Sequence, residues 1–413
     1  MRALAPLKSS PLRADHTGVG PRSVPPGRAS LLWIAPLTDH SGYADEARGF
    51  LRALERQGCR PAAREHRWRD SDAGLTAADR AMLRGPLSRE PRDPVVAVHH
   101  YIPGTTLNVV EGAVNVARTM FETDSIPSAW VPRLLERDEI WVPSQHNVET
   151  FRAAGIPERK LRIVGETIDF DLFAPAAPAL HLGRDGDEVV FLTNFEFGER
   201  KGWRTLLRAW ARAFDRHDPV RLILKAGSFD SGEDHVRERI DAFLRTEGSA
   251  LDRIAPITLR TDLVAPEDMP GLYAGADAYV MPSRGEGWGR PFMEALAMGL
   301  PTIGPRWGGN LAFMDEATSW LLDGDLVPVP HDGEPWYGAA NGHRWFDPDA
   351  DALVSALQDI AGDPARARAR AAGARGDLIA RFGAAKPTPP QRAHSREGAE
   401  IREDSPPSPA RSR

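Results

Sequence analysis

The residues best suited to chemistry lie together in YVMPSRGEGWGRPFMEALAMGLPTIGP, residues 279–305. A strand pattern ends at Pro282, and a Gly-rich loop follows: Gly285, Glu286, Gly287, Trp288, Gly289. Pro291 then stands where a helix begins, since proline lacks an N–H that would be unpaired there anyway. Such a loop delivers a ligand to a helix N-terminus, whose free amides and partial positive charge favour an anion. A pyrophosphate is a natural occupant. Glu286 in the loop and Glu294 in the first helical turn add two carboxylates, which suit hydroxyl-rich groups because each accepts hydrogen bonds from adjacent sugar OH groups. They would repel a phosphate, so that task falls to the amides and to a cation elsewhere. The spacing of the two glutamates is a weak signal alone; the strand, loop, proline and helix around them strengthen it. The plainer reading makes Glu294 a helix-dipole partner and Glu286 a solvated loop residue.

These residues need a scaffold, and the chain supplies alternating strand and helix patterns. LLWIAPL (31–37) reads as a buried strand, followed by a helix with Phe50, Leu51 and Leu54 that stops at Gly58. VVAVHH (95–100), VNVARTMFETD (114–124), DEIWVPS (138–144) and KLRIVGE (160–166) continue the strand series. After a Pro/Gly-rich stretch at 171–187 the pattern restarts with EVVFLTNFEF (188–197), a helix from Trp203 to Phe214, and VRLILKAG (220–227). A helix near 233–246, ITLRTDLV (257–264), a short helix around 267–275, ADAYVMPS (276–283) and a helical pattern from 351 to Phe382 complete it. This alternation predicts parallel sheets covered by helices, in two doubly wound halves around one cleft. Ligands in such sheets bind outside the carboxyl ends of the strands, so the functional loops should follow residues 37, 100, 124, 197, 227, 264, 283 and 305.

Composition narrows the function classes. A chain of 413 residues with 41% hydrophobic residues has enough for two packed domains. A single cysteine, Cys59, excludes a disulfide framework and fits a reducing, cytoplasmic compartment. The formal charge of -6 gives no global basic field for nucleic acid. No apolar run approaches the roughly 18 residues of a membrane span, and the N-terminus lacks the apolar core of a secretory signal. Residues 1–29 and 386–413 are rich in Pro, Arg and Ser and poor in large apolar residues, and both are expected to be disordered. The Asp-Gly-Asp triplets at 185–187 and 323–325 read as turns rather than metal ligands. No metal or other cofactor is expected.

The 279–305 segment resembles the donor-site signature of the group 1, glycogen-synthase-like retaining glycosyltransferases, which have the GT-B fold. NFEFGERKGWRTLLRAWARAF (194–214) resembles the family's strand–turn–helix with a basic residue before Gly, here Arg200-Lys201-Gly202. DEIWVPSQHNVETFRAAGI and KLRIVGETIDFDLFAP resemble the end of its N-terminal domain, so that the likeness spans roughly residues 30–382. It implies an acceptor domain over 30–175, a linker over 176–187, a nucleotide-sugar domain over 188–350 and a helical segment over 351–385 returning towards the first domain. It implies further that Lys201 binds the donor diphosphate, with Arg200 beside it. The family's usual diphosphate Arg lies a few residues earlier, where this chain reads Phe195-Glu196-Phe197. Glu294 would hold the ribose; Glu286 and the amides of Gly287, Trp288 and Gly289 would hold the transferred sugar. The backbone near Val264 would meet the nucleobase, and Lys225 would line the same pocket or lie on the surface. Ser41 and Gly42 occupy the family's Gly-bearing diphosphate loop, with one Gly instead of the commoner pair. Tyr43, His99 and His100 are candidates for acceptor or sugar contacts, or else a turn residue and structural histidines. Glu122 and Asp124 occupy the loop where many relatives carry a sugar-contacting His; they would orient hydroxyls or cap the next segment.

The implied reaction moves a sugar from a nucleoside diphosphate to an acceptor hydroxyl with retention, by same-face attack assisted by the leaving group. Glu286, Lys201, Glu122 and Asp124 are the candidate catalytic residues. The acceptor would be a glycan, a lipid-linked molecule or a small molecule, and a lipid-linked one would bring peripheral contact with the inner membrane face. The alternative is a catalytically silent GT-B module that binds nucleotide or sugar, or serves as a partner subunit. The donor base, the sugar, the acceptor and the oligomeric state are not legible in the sequence.

Overall fold

The computed structural model describes residues 30–383, apart from 40, 69–74, 94, 104–107, 228–231, 248–252, 263 and 331–341, together with 391–392. The extension expected over 1–29, and all of the tail expected over 386–413 except 391–392, lie outside the described residues. Regular structure opens with β1 (Ser30–Ala35), α1 (Gly42–Arg56), β2 (Ala62–Glu65), α2 (Ala77–Ser88), β3 (Val95–His100) and β4 (Val114–Arg118). Next come α3 (Trp130–Leu135), β5 (Glu139–Val142), α4 (Gln145–Ala153) and β6 (Leu161–Ile163). The second alternating series is β7 (Val189–Glu196), α5 (Trp203–Ala213), β8 (Val220–Gly227), α6 (Gly232–Thr246), β9 (Ile257–Arg260), α7 (Met269–Ala274) and β10 (Ala278–Val280). It continues with α8 (Arg290–Ala297), β11 (Thr302–Pro305), β12 (Ser319–Leu322), β13 (Gly324–Pro328) and β14 (Arg344–Pro348). It ends with α9 (Ala350–Gly362), α10 (Pro364–Ala371) and α11 (Ala374–Phe382). The chain divides into two compact units, Met1–Arg118 with Pro132–Ile140, and Thr119–Val131 with Trp141–Arg413.

In the first unit parallel strands run in the order β2-β1-β3-β4, with β5 beyond β4. The order reverses between β1 and β3, the crevice position of a doubly wound sheet. Apolar runs make these strands: Leu32, Trp33, Ala97, Val98 and Val116 are buried. Sequence pattern did not reveal β2 and α2. The four residues of β2, Ala-Ala-Arg-Glu, include no β-branched or aromatic side chain, so parallel pairing with β1 recruits them, Leu32 opposite Ala62. Helix α2 carries Gly85 and Pro86, which mask its pattern, but a Thr76–Asp79 capping box starts it.

The second unit holds six parallel strands in the order β12-β11-β10-β7-β8-β9, so β7 and β10 are neighbours although far apart in sequence. Counted from β7 this is the 3-2-1-4-5-6 order of a dinucleotide-binding sheet, whose ligand crevice lies outside the carboxyl ends of the two strands at the reversal. Those strands are β7 and β10. Val190, Phe191, Leu222, Ile223, Tyr279 and Val280 fill the sheet interior. Helix α5 packs through Trp203, Leu206, Leu207 and Trp210, a one-faced apolar stripe. The helical pattern expected from 351 to Phe382 is three helices: Asp363 caps α10 with Pro364 at its start, and Gly373 separates α10 from α11. Residues 391–392 pair antiparallel with β6. Both units are parallel-sheet α/β structures, as expected of a GT-B chain. Among the described residues no helix is long and apolar enough to cross a membrane.

Candidate active site

Two loops meet at the carboxyl ends of β7 and β10. After β7 the chain makes a tight turn, Glu199–Lys201, and Gly202 adopts a left-handed conformation with φ 68°. A Cβ on Gly202 would lie 1.8 Å from the Pro282 carbonyl oxygen, so only glycine lets this turn pack against the end of β10. The amide of Arg284 donates to the Arg200 carbonyl at 2.7 Å and ties the loops together.

Three donors converge on one carboxylate oxygen. Glu286 Oε1 accepts from Lys201 Nζ at 2.6 Å, Ser283 Oγ at 2.6 Å and Arg200 Nη1 at 3.1 Å. Arg200 also donates to the Gly285 carbonyl at 2.6 Å. Lys201 and Glu286 are buried. Burial raises the Glu286 carboxyl, but the charges of Lys201 and Arg200 outweigh it and leave it lowered and ionised. Burial lowers the Lys201 ammonium, and Arg200 lowers it further; Glu286 and Glu122 oppose both. The chain therefore holds two cations, one buried and one half-buried, through one buried carboxylate.

The loop beyond Glu286 leaves its donors open. Among the described residues no group accepts from the amides of Gly287, Trp288 and Gly289. Gly289 is left-handed at φ 91° and turns the chain into α8, where Pro291 occupies the first turn. The amides therefore precede a helix N-terminus, an anion-binding arrangement. The side chain of Trp288 points into the interior, with 1% exposure, and packs on Phe313 and Phe382. A second turn, after β11, supports the loop: the amide of Gly309 donates to the Glu286 carbonyl at 2.7 Å. A Cβ on Gly309 would lie 1.8 Å from the Gly287 carbonyl oxygen. Sequence reading marked the loop after residue 305 but named no residue in it.

Glu294 lies in the first turns of α8, buried, with the Tyr273 hydroxyl donating to its Oε2 at 2.7 Å. Tyr273 is also 3.1 Å from Asn194 Oδ1, at the end of β7. Burial and then the Glu294 charge push the Tyr273 phenol well above its ordinary range, so it stays a hydrogen donor. Tyr273 and Asn194 were not picked out in the sequence; a tyrosine in a short apolar helix carries no signal of its own.

The loop after β4 supplies Glu122 and Asp124. A Cβ on Gly285 would lie 1.9 Å from the Glu122 carbonyl oxygen, and the Glu122 charge acts on Lys201. Asp124 is bound elsewhere: its carboxylate accepts from the Arg344 amide and Nε, both at 2.8 Å, and its amide donates to the Arg344 carbonyl. That is a clasp between the loop and β14. Val264 is half-buried beyond β9, and Lys225 is half-buried on β8 where its charge acts on Asp262.

In the first unit, Ser41 caps α1 by accepting from the Ala44 amide, Gly42 is the first helical residue, and Tyr43 packs on Trp68 and His100. His99 Nε2 donates to Asn115 Oδ1 at 2.8 Å, and burial lowers the imidazole to about 4. His100 Nε2 lies 2.9 Å from Glu46 Oε2 while its Nδ1 accepts from Trp33 Nε1. Glu46 also pairs with Arg118, and all three are buried. Burial raises the Glu46 carboxyl, but Arg118 and His100 hold it well below its usual value. The two histidines are members of an interior network.

Residues 186–330 match the profile of the family described as glycosyl transferases group 1. The chain is 31% identical over 187 residues to a D-inositol 3-phosphate glycosyltransferase of Saccharomonospora viridis, covering 43% of this chain and 41% of that protein. It is 27% identical over 245 residues to a GDP-mannose-dependent alpha-(1-6)-phosphatidylinositol monomannoside mannosyltransferase of Mycolicibacterium smegmatis, covering 57% and 56%. The matched region thus spans about half the length of these curated relatives or less. In structure the chain is similar to Anabaena Alr3699/HepE, crystallised with UDP and glucose, with TM-score 0.56, 14% identity, and coverage of 86% and 96%. That likeness carries the fold, GT-B. The profile match is centred on the sheet that holds Lys201, Glu286 and the glycine loop, so residues 186–330 are similar to a group 1 glycosyltransferase domain.

Proposed function

We propose that this protein is a retaining glycosyltransferase that moves a sugar from a nucleoside-diphosphate donor to an acceptor hydroxyl. One observation carries the reading. Two cations, Arg200 and Lys201, are fixed beside three loop amides that have no acceptor among the described residues, at the start of α8 and at the reversal point of the sheet. A diphosphate there meets full positive charge, free N–H donors and a helix N-terminus together. The relatives named for sugar transfer support the same class of donor.

In this reading the charge growing on the departing diphosphate is stabilised by Lys201, Arg200 and the amides of Gly287, Trp288 and Gly289. Because those groups are already held in place, little reorganisation is needed as the bond breaks. Glu294, oriented by Tyr273, accepts from the ribose hydroxyls. Glu286 holds Lys201, and its second oxygen faces the transferred sugar. The leaving phosphate takes the acceptor's proton as the acceptor attacks from the same face, so no enzyme base is required. Glu122 and Asp124 keep the loop after β4 against the glycine loop, with Glu122 adding negative potential at Lys201. The acceptor is a polyol, glycan or lipid-linked alcohol, and the setting is cytoplasmic.

Thermal melting of the full chain with UDP, GDP, ADP and their sugar conjugates tests the reading, because a ligand bound only by the folded state raises Tm. The expected result is a rise with one nucleotide class, followed by turnover or slow hydrolysis of the matching sugar donor. Binding with no turnover of any donor would point instead to a silent binding module. No shift with any nucleotide would overturn both.

A further inference from the structure

The glycine loop must keep its amides pointed at the ligand, yet Gly285, Gly287 and Gly289 give it little stiffness of their own. Its one large side chain is Trp288; the indole Nε1 donates to Met293 Sδ at 3.4 Å, and the rings packed against the indole lie far away in sequence. Phe382, the last residue of α11, meets Trp288 edge to face, with ring centroids 5.3 Å apart and an interplanar angle of 83°. Phe313 takes another side of the indole at 5.0 Å. Between Trp288 and Phe382 sits Gly165, just after β6. A Cβ there would lie 3.0 Å from Phe382 Cε1 and 3.4 Å from Trp288 Cη2, so the missing side chain makes room for the ring pair. Arg290, at the start of α8, reaches the same strand end, to Glu166 Oε2 at 3.4 Å and the Thr167 carbonyl at 3.3 Å.

We propose that Phe382 is a positioning residue for the donor loop: through Trp288 helix α11 holds the amides of Gly287–Gly289 in the geometry that receives the diphosphate. The inference rests on the proposed donor site for its consequence in catalysis, but not for its physical content. Phe382 is half-buried, so removing its ring loosens a contact without emptying the core. An edge-to-face pair contributes about two- to tenfold to a local opening equilibrium beyond its buried area.

Hydrogen exchange of the full chain is the test, since it needs no ligand. In Phe382→Ala the peptide covering 283–292 should exchange about fivefold faster or more, while the interior of α5 keeps its rate. Phe382→Tyr should restore the slow exchange, and Ile379→Ala, an exposed position on the same helix, should leave it unchanged. Gly165→Ala approaches the ring pair from the other side and should speed the loop as Phe382→Ala does; it serves as the readout if Phe382→Ala fails to fold. Unchanged loop exchange in a folded Phe382→Ala or Gly165→Ala overturns the proposal. If the wild-type chain binds a nucleotide sugar, Phe382→Ala should raise donor KM about as much as it speeds exchange and change kcat less. A wild type that binds no nucleotide sinks the proposed function while the exchange result still decides the role of Phe382.

Discussion

The carboxyl edges of the two sheets carry similar side chains and use them in opposite ways. At the edge of the first unit, Glu46, His100 and Arg118 satisfy one another, with Trp33 completing the histidine. At the edge of the second, Glu286 and Lys201 are buried, Arg200 is half-buried and all three are paired, but among the described residues no group accepts from the three amides beside them. A buried ion pair is therefore not what distinguishes a binding site. The distinction is whether donors remain unpaired next to it, and here the glycine loop, with its left-handed turn at Gly289, leaves three amides with no acceptor among the described residues.

The comparison can be broken by substitution, and the largest effect should fall in the first unit. Glu46→Gln leaves Arg118 buried without its partner and should cost about 3–5 kcal/mol in chemical denaturation. Its sign with pH follows from the lowered carboxyl. The stabilisation is full above the ordinary value of 4.5 and is lost as pH falls towards about 2, so the variant should flatten the stability curve in that window. Nucleotide affinity of the folded variant should not change; a large loss would mean the two edges are not functionally distinct. Lys201→Met should lower turnover by about 10²–10³, the scale for one donor removed from a developing anion. Gly289→Ala forces a side chain into φ 91° and should weaken donor binding by the about 1–3 kcal/mol such a conformation costs, read by calorimetry. The smallest effect belongs to Arg344→Ala. Its ion pair with Asp124 is half-exposed, so the stability loss should stay below about 1 kcal/mol. A much larger loss of turnover in that variant would move Asp124 from a clasp into the chemistry.

Much of this was legible in the sequence for a stated physical reason. Alternating apolar strands and one-faced helices such as α5 fix an α/β chain, because only layered parallel sheets bury such patterns. The glycine loop, Pro291 and the glutamate spacing marked the proposed donor edge, because backbone demands at a strand-to-helix turn restrict residue type. Short β2 and Pro-containing α2 were not legible, since tertiary pairing rather than local preference forms them. Nor was the difference between His100, enclosed by Glu46 and Trp33, and Lys201, set beside open amides. Both are polar residues near strand ends, and nothing in local sequence states which neighbours will satisfy them.

Sequence by itself determined the element pattern, the place of the Gly-rich strand-to-helix turn and the residue types proposed to meet a diphosphate sugar, because those follow from local backbone geometry and side-chain chemistry. Tertiary structure alone decided that β7 and β10 are neighbours, that Lys201 and Arg200 share one oxygen of Glu286, and that Tyr273 orients Glu294. It alone placed Phe382 against Trp288. Each joins residues tens of positions apart, and only the strand order and close packing of the folded sheet bring such pairs within bonding distance.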